Sequence, residues 1–350
     1  MIKKLFFAFS LALFLLIGLA AVWGWQQLHQ PLQLDTSRNI DVPAGRGFMQ
    51  VAQQLEREGL VQHLLPLRLW LRLTQDPAAI RAGEYRLEPG LSLMELKSLL
   101  ESGQVVQYSL TIPEGRTFND FRARLAAAPY LEPLTAEWTE AEIMAALGQP
   151  DQPAEGWFFP STYVYHKGMR DLDILRQAHQ RMQRLLETVW AERQEPLPYA
   201  SPYEALIMAS IIERETGAPH ERRDIAGVFV RRLERGMRLQ TDPTVIYGMG
   251  DRYQGRITRR DLREPTPWNT YVIHGLPPTP IALPGEAALR ASVDPAPGET
   301  YYFVARGDGT HHFSRTLQEH NRAVRQYQLN RREDYRSWPA PANTETPADD

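Results

Sequence analysis

Two glutamates, Glu213 and Glu215, close the segment Ser201–Gly217, which reads SPYEALIMASIIERETG. Met208, Ile211 or Ile212, and Glu215 follow one another at helical spacing, so the side that buries apolar groups ends in a carboxylate. Burial and the negative end of the helix dipole both favour the protonated form, and such a carboxyl can donate a proton near neutral pH. Further along, Gln240, Thr241, Asp242, Tyr247, Asn269 and Tyr271 lie in or beside turn-rich polar stretches of the kind that hold functional groups on a rigid scaffold. Cleavage of a glycosidic bond needs one proton donor, a groove for sugars and, in many enzymes, a second carboxylate, for which Asp242 is available. The plain alternative is that Glu213 and Glu215 are surface groups paired with Arg214, Arg222 or Arg223.

Other chemistries lack their residues. The chain has no cysteine, which removes disulfides, thiol nucleophiles and cysteine metal sites. His311, His312 and His320 are candidate ligands, but no His-Glu-x-x-His helix or comparable spacing accompanies them, so neither a metal nor another cofactor is expected. No Gly-x-Ser-x-Gly elbow and no phosphate-cradling glycine loop are present. A formal net charge of -3 gives no global basic field, and nucleic acid is not an expected partner.

The elements that must position these residues are legible as an α+β pattern. Ser201 reads as an N-cap, Pro202 as a first-turn residue, Glu204 as the completion of a capping box and Gly217 as the stop of an amphipathic helix. Leu172–Arg193 predicts a long helix that supports it, with Leu175, His179, Met182, Leu185, Leu186 and Val189 on its apolar side. Thr135–Leu147 predicts a helix opened by Thr135, followed by the aromatic stretch Glu155–Tyr163, which suits either a core or the stacking of sugar faces. Three segments share a rhythm of strand, proline–glycine turn and amphipathic helix, beginning at Ile40, Tyr85 and Leu110. Leu64–Leu73 adds a helix, so that Asp41 to about Ser102 makes a small domain suited to an extended ligand or to use as a spacer. Tyr301–Ala305 predicts a strand that turns through Gly307–Thr310 into His311, His312 and Phe313. The acidic, proline-bearing region after Trp338 is expected to be disordered.

At the N-terminus, Lys3 and Lys4 precede an apolar run from Leu5 to Trp25, close to the roughly 20 residues that cross a bilayer, with Trp23 and Trp25 at interfacial positions. The positive-inside rule puts Met1–Lys4 in the cytoplasm and the remainder outside it. A cleaved signal peptide ending near Gly18-Leu19-Ala20 is the rival reading, with a long apolar region and oddly placed tryptophans.

The run Met208-Ala209-Ser210-Ile211-Ile212-Glu213-Arg214-Glu215-Thr216, with Arg238–Gly248, Asn269-Thr270-Tyr271, Gly275-Leu276-Pro277-Pro278 and Glu155–Pro160, resembles the endolytic murein transglycosylases, the MltG or YceG-like family. The resemblance covers nearly the whole chain up to about Asn330. It implies a cytoplasmic stub at 1–4, a transmembrane helix at 5–25, a linker at 26–39, a small LysM-like α+β module at 40–105, a larger α+β catalytic domain at 106–330 and a disordered tail at 331–350. It further implies lytic cleavage of the β-1,4 bond between N-acetylmuramic acid and N-acetylglucosamine in nascent glycan strands, with a 1,6-anhydro end on the product. Glu215 takes the catalytic place in that family's Glu-x-Glu-Thr element, and Glu213, Gln240, Thr241, Asp242, Tyr247, Asn269 and Tyr271 are expected around the substrate. The implied partners are peptidoglycan strands, the inner membrane, crossed once with the C-terminal domains in the periplasm, and peptidoglycan synthases or division proteins. Two other readings of the same residues stay open: a two-carboxylate hydrolase using Glu215 and Asp242, which releases a reducing end, and an inert wall-binding scaffold.

Overall fold

The apolar N-terminal run forms one helix, α1 (Ile2–His29), in the computed structural model, which describes residues 2–76 and 79–329. The most apolar 18-residue window within Lys3–His29 has a mean hydropathy of 2.7 and is wholly unburied, as a bilayer-crossing helix requires. The helix runs past the expected end at Trp25 because its final turn has a packing role, with Leu28 buried among the first unit's core residues.

The chain folds as two compact units. The first contains residues up to Ser109 together with Tyr130–Glu132 and Val164–Met169. Its strands β1 (Arg38–Val42) and β2 (Gly83–Leu87) pair antiparallel, Ile40 opposite Tyr85, and are separated by α2 (Phe48–Arg57) and α3 (Leu65–Thr74); α4 (Leu93–Ser102) follows β2. Alternation along the strands turns Ile40, Val42, Tyr85 and Leu87 inward, where they meet Phe48, Val51, Leu55, Leu67, Leu93, Leu96 and Leu100. Ser92 and Glu95 close a capping box on α4, and Gly103 ends it in the left-handed conformation, as such caps do. Gly83 has no room for a side chain, since a Cβ there would lie 2.3 Å from Val105 Cγ1. The strand–turn–helix rhythm is therefore present, with the third strand, β3 (Gln107–Thr111), beginning three residues before the expected Leu110.

The second unit contains Leu110–Pro129, Pro133–Tyr163 and the chain from Arg170 onward. After α5 (Phe118–Ala126), α6 (Glu140–Ala146) and the strand β4 (Thr162–His166), whose last three residues belong to the first unit, the chain continues through α7 (Asp171–Ala191), α8 (Pro202–Glu215), α9 (Arg222–Glu234), α10 (Asp242–Met249) and α11 (Glu286–Val293). The hairpin of β5 (Tyr302–Ala305) and β6 (His311–Ser314) and the helix α12 (Leu317–Val324) complete the described residues of this unit apart from a last π-helical turn at Arg325–Leu329. Helix α8 is its centre, packed against α7, α9, α10 and α11. For that reason every residue from Ala205 to Glu213 is buried, and α8 is a core helix rather than the amphipathic one expected from its sequence.

Three local expectations need correction. The helix expected from Thr135 begins at Glu140: Thr135 is held by the Asp171 carboxylate, to which its N–H and hydroxyl donate, and Thr139 with Glu142 forms the capping box instead. Glu204 does not close a capping box on Ser201; its carboxylate accepts the N–H of Ala200, one residue earlier, while Ser201 Oγ accepts from Glu204 N–H. The polar stretch from Leu239 to Thr244 contains the start of a two-turn helix, α10, because Pro243 in its first turn needs no N–H partner. The tail expected to be disordered, 331–350, lies outside the described residues.

Candidate active site

Helix α8 stops at Glu215 because Thr216 turns to an extended conformation, φ −137° and ψ 135°. Its hydroxyl oxygen accepts the N–H of Ala218 at 2.9 Å, so a threonine, and not the glycine at 217, terminates the helix. Glu215 is thus the last helical residue, at the negative end of the dipole, with part of its surface still open to solvent. Burial pushes its carboxyl up to about 7; the Thr241 hydroxyl, which donates to Oε1, pulls the other way, the Asp242 charge adds to the rise, and the Arg232 and Arg214 guanidinium groups oppose it. The result is a carboxyl that is half protonated near neutral pH and reachable. It can give a proton to a leaving oxygen and take one back as a carboxylate.

The loop facing it is held from within. Arg232 on α9 is buried and donates through Nε to Tyr301 O at 2.7 Å and through Nη1 to Leu239 O at 2.7 Å. Gln240 N–H donates to Thr270 O, and Thr241 N–H to Thr270 Oγ1 at 3.0 Å. Between these ties Gln240 adopts φ +52°, a left-handed conformation costly for a residue other than glycine, and its side chain is exposed. Asp242 is exposed at the start of α10 and accepts the Tyr271 hydroxyl at 2.6 Å, while burial keeps that phenol protonated well above its usual range. Glu215, Thr241, Asp242 and Tyr271 are therefore linked by side-chain hydrogen bonds or direct charge interaction.

Glu213 and Asn269 face inward. Glu213 is buried, accepts the N–H of Gly285 at 3.0 Å and lies 3.4 Å from Arg222, and burial raises its pKa. Asn269 is buried too, giving its amide hydrogens to the carbonyls of Asp261 and Glu264 and accepting Tyr271 N–H. Both act by fixing loops. Ser210 does the same one turn before Glu213, where its hydroxyl oxygen accepts Ile281 N–H at 3.0 Å.

A second buried carboxyl, Glu155, was not among the expected site residues. It accepts the Phe118 N–H at 3.0 Å and the Tyr247 hydroxyl at 3.2 Å, and burial pushes it up to about 7. Tyr247 meets Trp268 edge-on, and Trp268 Nε1 donates to Thr279 Oγ1. At Gly156, φ +86°, a Cβ would lie 2.5 Å from Pro280 Cβ, so the chain passes this close to Pro280 only because the residue is glycine. The sequence signal for Glu155 is an acid set directly against Gly-Trp-Phe-Phe, and that for Arg232 is its spacing after Ile225 and Phe229 on the buried side of α9. The three histidines are used in packing: His311 bonds Glu221 at 2.7 Å, His312 meets Tyr327 and His320 stacks on Tyr302.

Residues 40–326 match the model of the YceG-like family. The chain is 29% identical over 340 residues to a protein of Bacillus subtilis (strain 168) named endolytic murein transglycosylase, covering 89% of this chain and 91% of that one. A protein of the same name from Streptococcus pneumoniae serotype 2 (strain D39) is 26% identical over 360 residues, covering 92% of this chain and 65% of its own length. Among solved structures, a 2.6 Å crystal structure of a yceG-like protein from Listeria monocytogenes is similar with a TM-score of 0.54 and 28% identity, over 82% of this chain and 98% of that one.

Proposed function

This chain belongs to the YceG-like family, and from that premise and the site geometry we propose that it is a peptidoglycan lytic transglycosylase with Glu215 as its single acid and base. The observation that carries the proposal is the Glu215 carboxyl itself, desolvated enough to be protonated to about pH 7, still partly open, and held by the Thr241 hydroxyl beside Asp242. In the forward step Glu215 gives its proton to the glycosidic oxygen as the C1–O4 bond breaks. The carboxylate so formed takes the proton of the muramic acid C6 hydroxyl while that oxygen bonds C1, which regenerates the acid and leaves a 1,6-anhydro end. No water is consumed. Arg232 and Tyr271 act through the loop that carries Thr241 and Asp242, and Gln240, whose side chain is exposed there, is placed to touch sugar.

Around this site we read residues 106–330 as the catalytic domain and residues 40–105 as a LysM-like glycan-binding module, the latter supported by two strands flanking helices over one small core. The apolar α1 supports a single-pass inner-membrane anchor with a cytoplasmic N-terminus and the remainder periplasmic. Synthases and division proteins fit as neighbours of an enzyme that acts on nascent strands.

The test is a pair of isosteric variants of the full chain in detergent. Glu215→Gln keeps shape but has no proton to give, and cleavage of glycan strands should fall about a hundredfold to ten-thousandfold. Glu213→Gln keeps an acceptor for Gly285 N–H and should lose stability more than rate, by roughly 1–2 kcal/mol. An active Glu215→Gln beside a dead but folded Glu213→Gln would falsify the assignment.

A further inference from the structure

The excursion between α10 and Trp268 is rich in arginine: Arg252, Arg256, Arg259, Arg260 and Arg263 stand against Asp251, Asp261 and Glu264. Two of the acids have local partners. Glu264 pairs with Arg252 at 3.0 Å, and the Asp261 carboxylate accepts the Thr258 N–H and hydroxyl, bonds that hold its pKa below the usual range. Among the described residues no ion pair reaches Arg256, Arg259, Arg260 or Arg263, and all four are exposed. Arg259, Arg260 and Arg263 line one open cleft with Glu264 and Pro265.

This cationic cleft is fastened to the wall of the candidate active site. Asn269 donates to Asp261 O at 3.1 Å and Glu264 O at 2.7 Å from one side of its amide, and accepts Tyr271 N–H on the other. Tyr271 in turn donates to Asp242. At the loop's return, a Cβ on Gly248 of α10 would lie 2.7 Å from Thr266 Oγ1, so helix and loop are in close contact. Exposed guanidinium ions without an ion pair among the described residues, Arg260 acting on Asp261 only through its charge, suit carboxylates carried by the substrate, because the planar guanidinium fork pairs with a carboxylate through two parallel hydrogen bonds.

We propose that Arg259, Arg260 and Arg263, with Arg256 beside them, form a subsite for the free carboxylates of the peptides that murein bears along its glycan strand. The inference rests on the transglycosylase reading and deepens it: the enzyme recognises the strand's peptides as well as its sugars. A surface of this kind contributes binding that salt screens within about 8–10 Å at physiological ionic strength. It acts on KM and leaves the chemistry at Glu215 alone.

The experiment compares two substrates and two proteins, each protein as the full chain in detergent. The substrates are uncrosslinked glycan strands with their peptides and the same strands after an amidase has removed them. The variant is Arg259→Gln/Arg260→Gln/Arg263→Gln, whose exposed side chains leave folding intact, checked by an unchanged melting curve. Wild type should show a KM about five- to twentyfold lower on peptide-bearing strands, the size expected of a few exposed ion pairs, with the advantage shrinking in 0.5 M salt by rough screening arithmetic. The triple variant should lose that preference with kcat near the wild-type value. Equal KM on both substrates for wild type, a preference that survives in the variant, or an equal loss on both substrates overturns the subsite while the transglycosylase reading stands. Failure of wild type to cleave either substrate overturns the reading beneath it.

Discussion

Glu215 and Glu213 differ by two positions and by nearly everything that matters chemically. Both are desolvated, but Glu213 is tied to Gly285 and Arg222, whereas Glu215 is the final residue of its helix and accepts the Thr241 hydroxyl from the facing loop. Sequence spacing placed Glu215 on the apolar line through Met208, which was right about desolvation but silent on which partners each carboxyl would find. Those partners lie 26 residues away for Thr241 and 72 for Gly285, and no local pattern encodes such meetings. The Thr241 hydroxyl stabilises the charged form of Glu215 and so holds its pKa below the level burial alone would give. In the Thr241→Val variant the carboxyl should keep its proton to higher pH. Since the free enzyme must start with Glu215 protonated, the alkaline limb of the kcat/KM profile, near pH 7 in wild type, should move upward. A limb that stays in place or moves down would show that Thr241 does not touch the ionising group.

At the scale of elements, the local signals did well where turn and cap chemistry is contained within a few residues. The proline–glycine turns located β1, β2 and the helices after them, and Ser201 with Pro202 located the start of α8. They failed where a longer-range partner displaced the local one, as when Asp171 took Thr135 from the helix it was expected to open. The burial of α8 on all sides follows from four surrounding helices that its own sequence does not describe. Glu155 makes the same point for α10, which is pinned by Tyr247 to a carboxyl 92 residues distant. Glu155→Gln retains an acceptor for the Phe118 N–H and a polar group for the Tyr247 hydroxyl, so stability and activity should stay close to wild type. Glu155→Leu leaves the buried Phe118 N–H without this partner, at a cost of about 1–3 kcal/mol, and leaves the Tyr247 hydroxyl to Thr279. It should also lower kcat more than it raises KM, because α10 begins with the residues that face Glu215. Thermal melts and steady-state kinetics on the two variants distinguish this positioning role from a filler role, in which leucine would be tolerated as well as glutamine.

For the whole molecule, the long unburied α1 and the two compact units fit the proposed enzyme tethered beside its substrate. The mature protein should keep residues 1–25 and remain in the membrane fraction after a salt wash, which intact-mass analysis decides; a chain beginning near Ala21 would instead mark a cleaved signal peptide. The order of strands and helices and the long apolar helix were readable from the sequence because each depends on short spacing or on composition. The pairing of the Arg259–Arg263 cleft with the Tyr271 loop was not, since it depends on Asn269 bridging two turns. The central claim is that one carboxyl cleaves glycan without water, and the masses of the products test it most directly. Digestion of purified glycan strands by the full-length protein should yield internal fragments whose muramic ends are lighter by one water than reducing ends, and Glu215→Gln should yield almost none. Fragments ending in reducing sugars would contradict the account and point to hydrolysis by Glu215 together with Asp242.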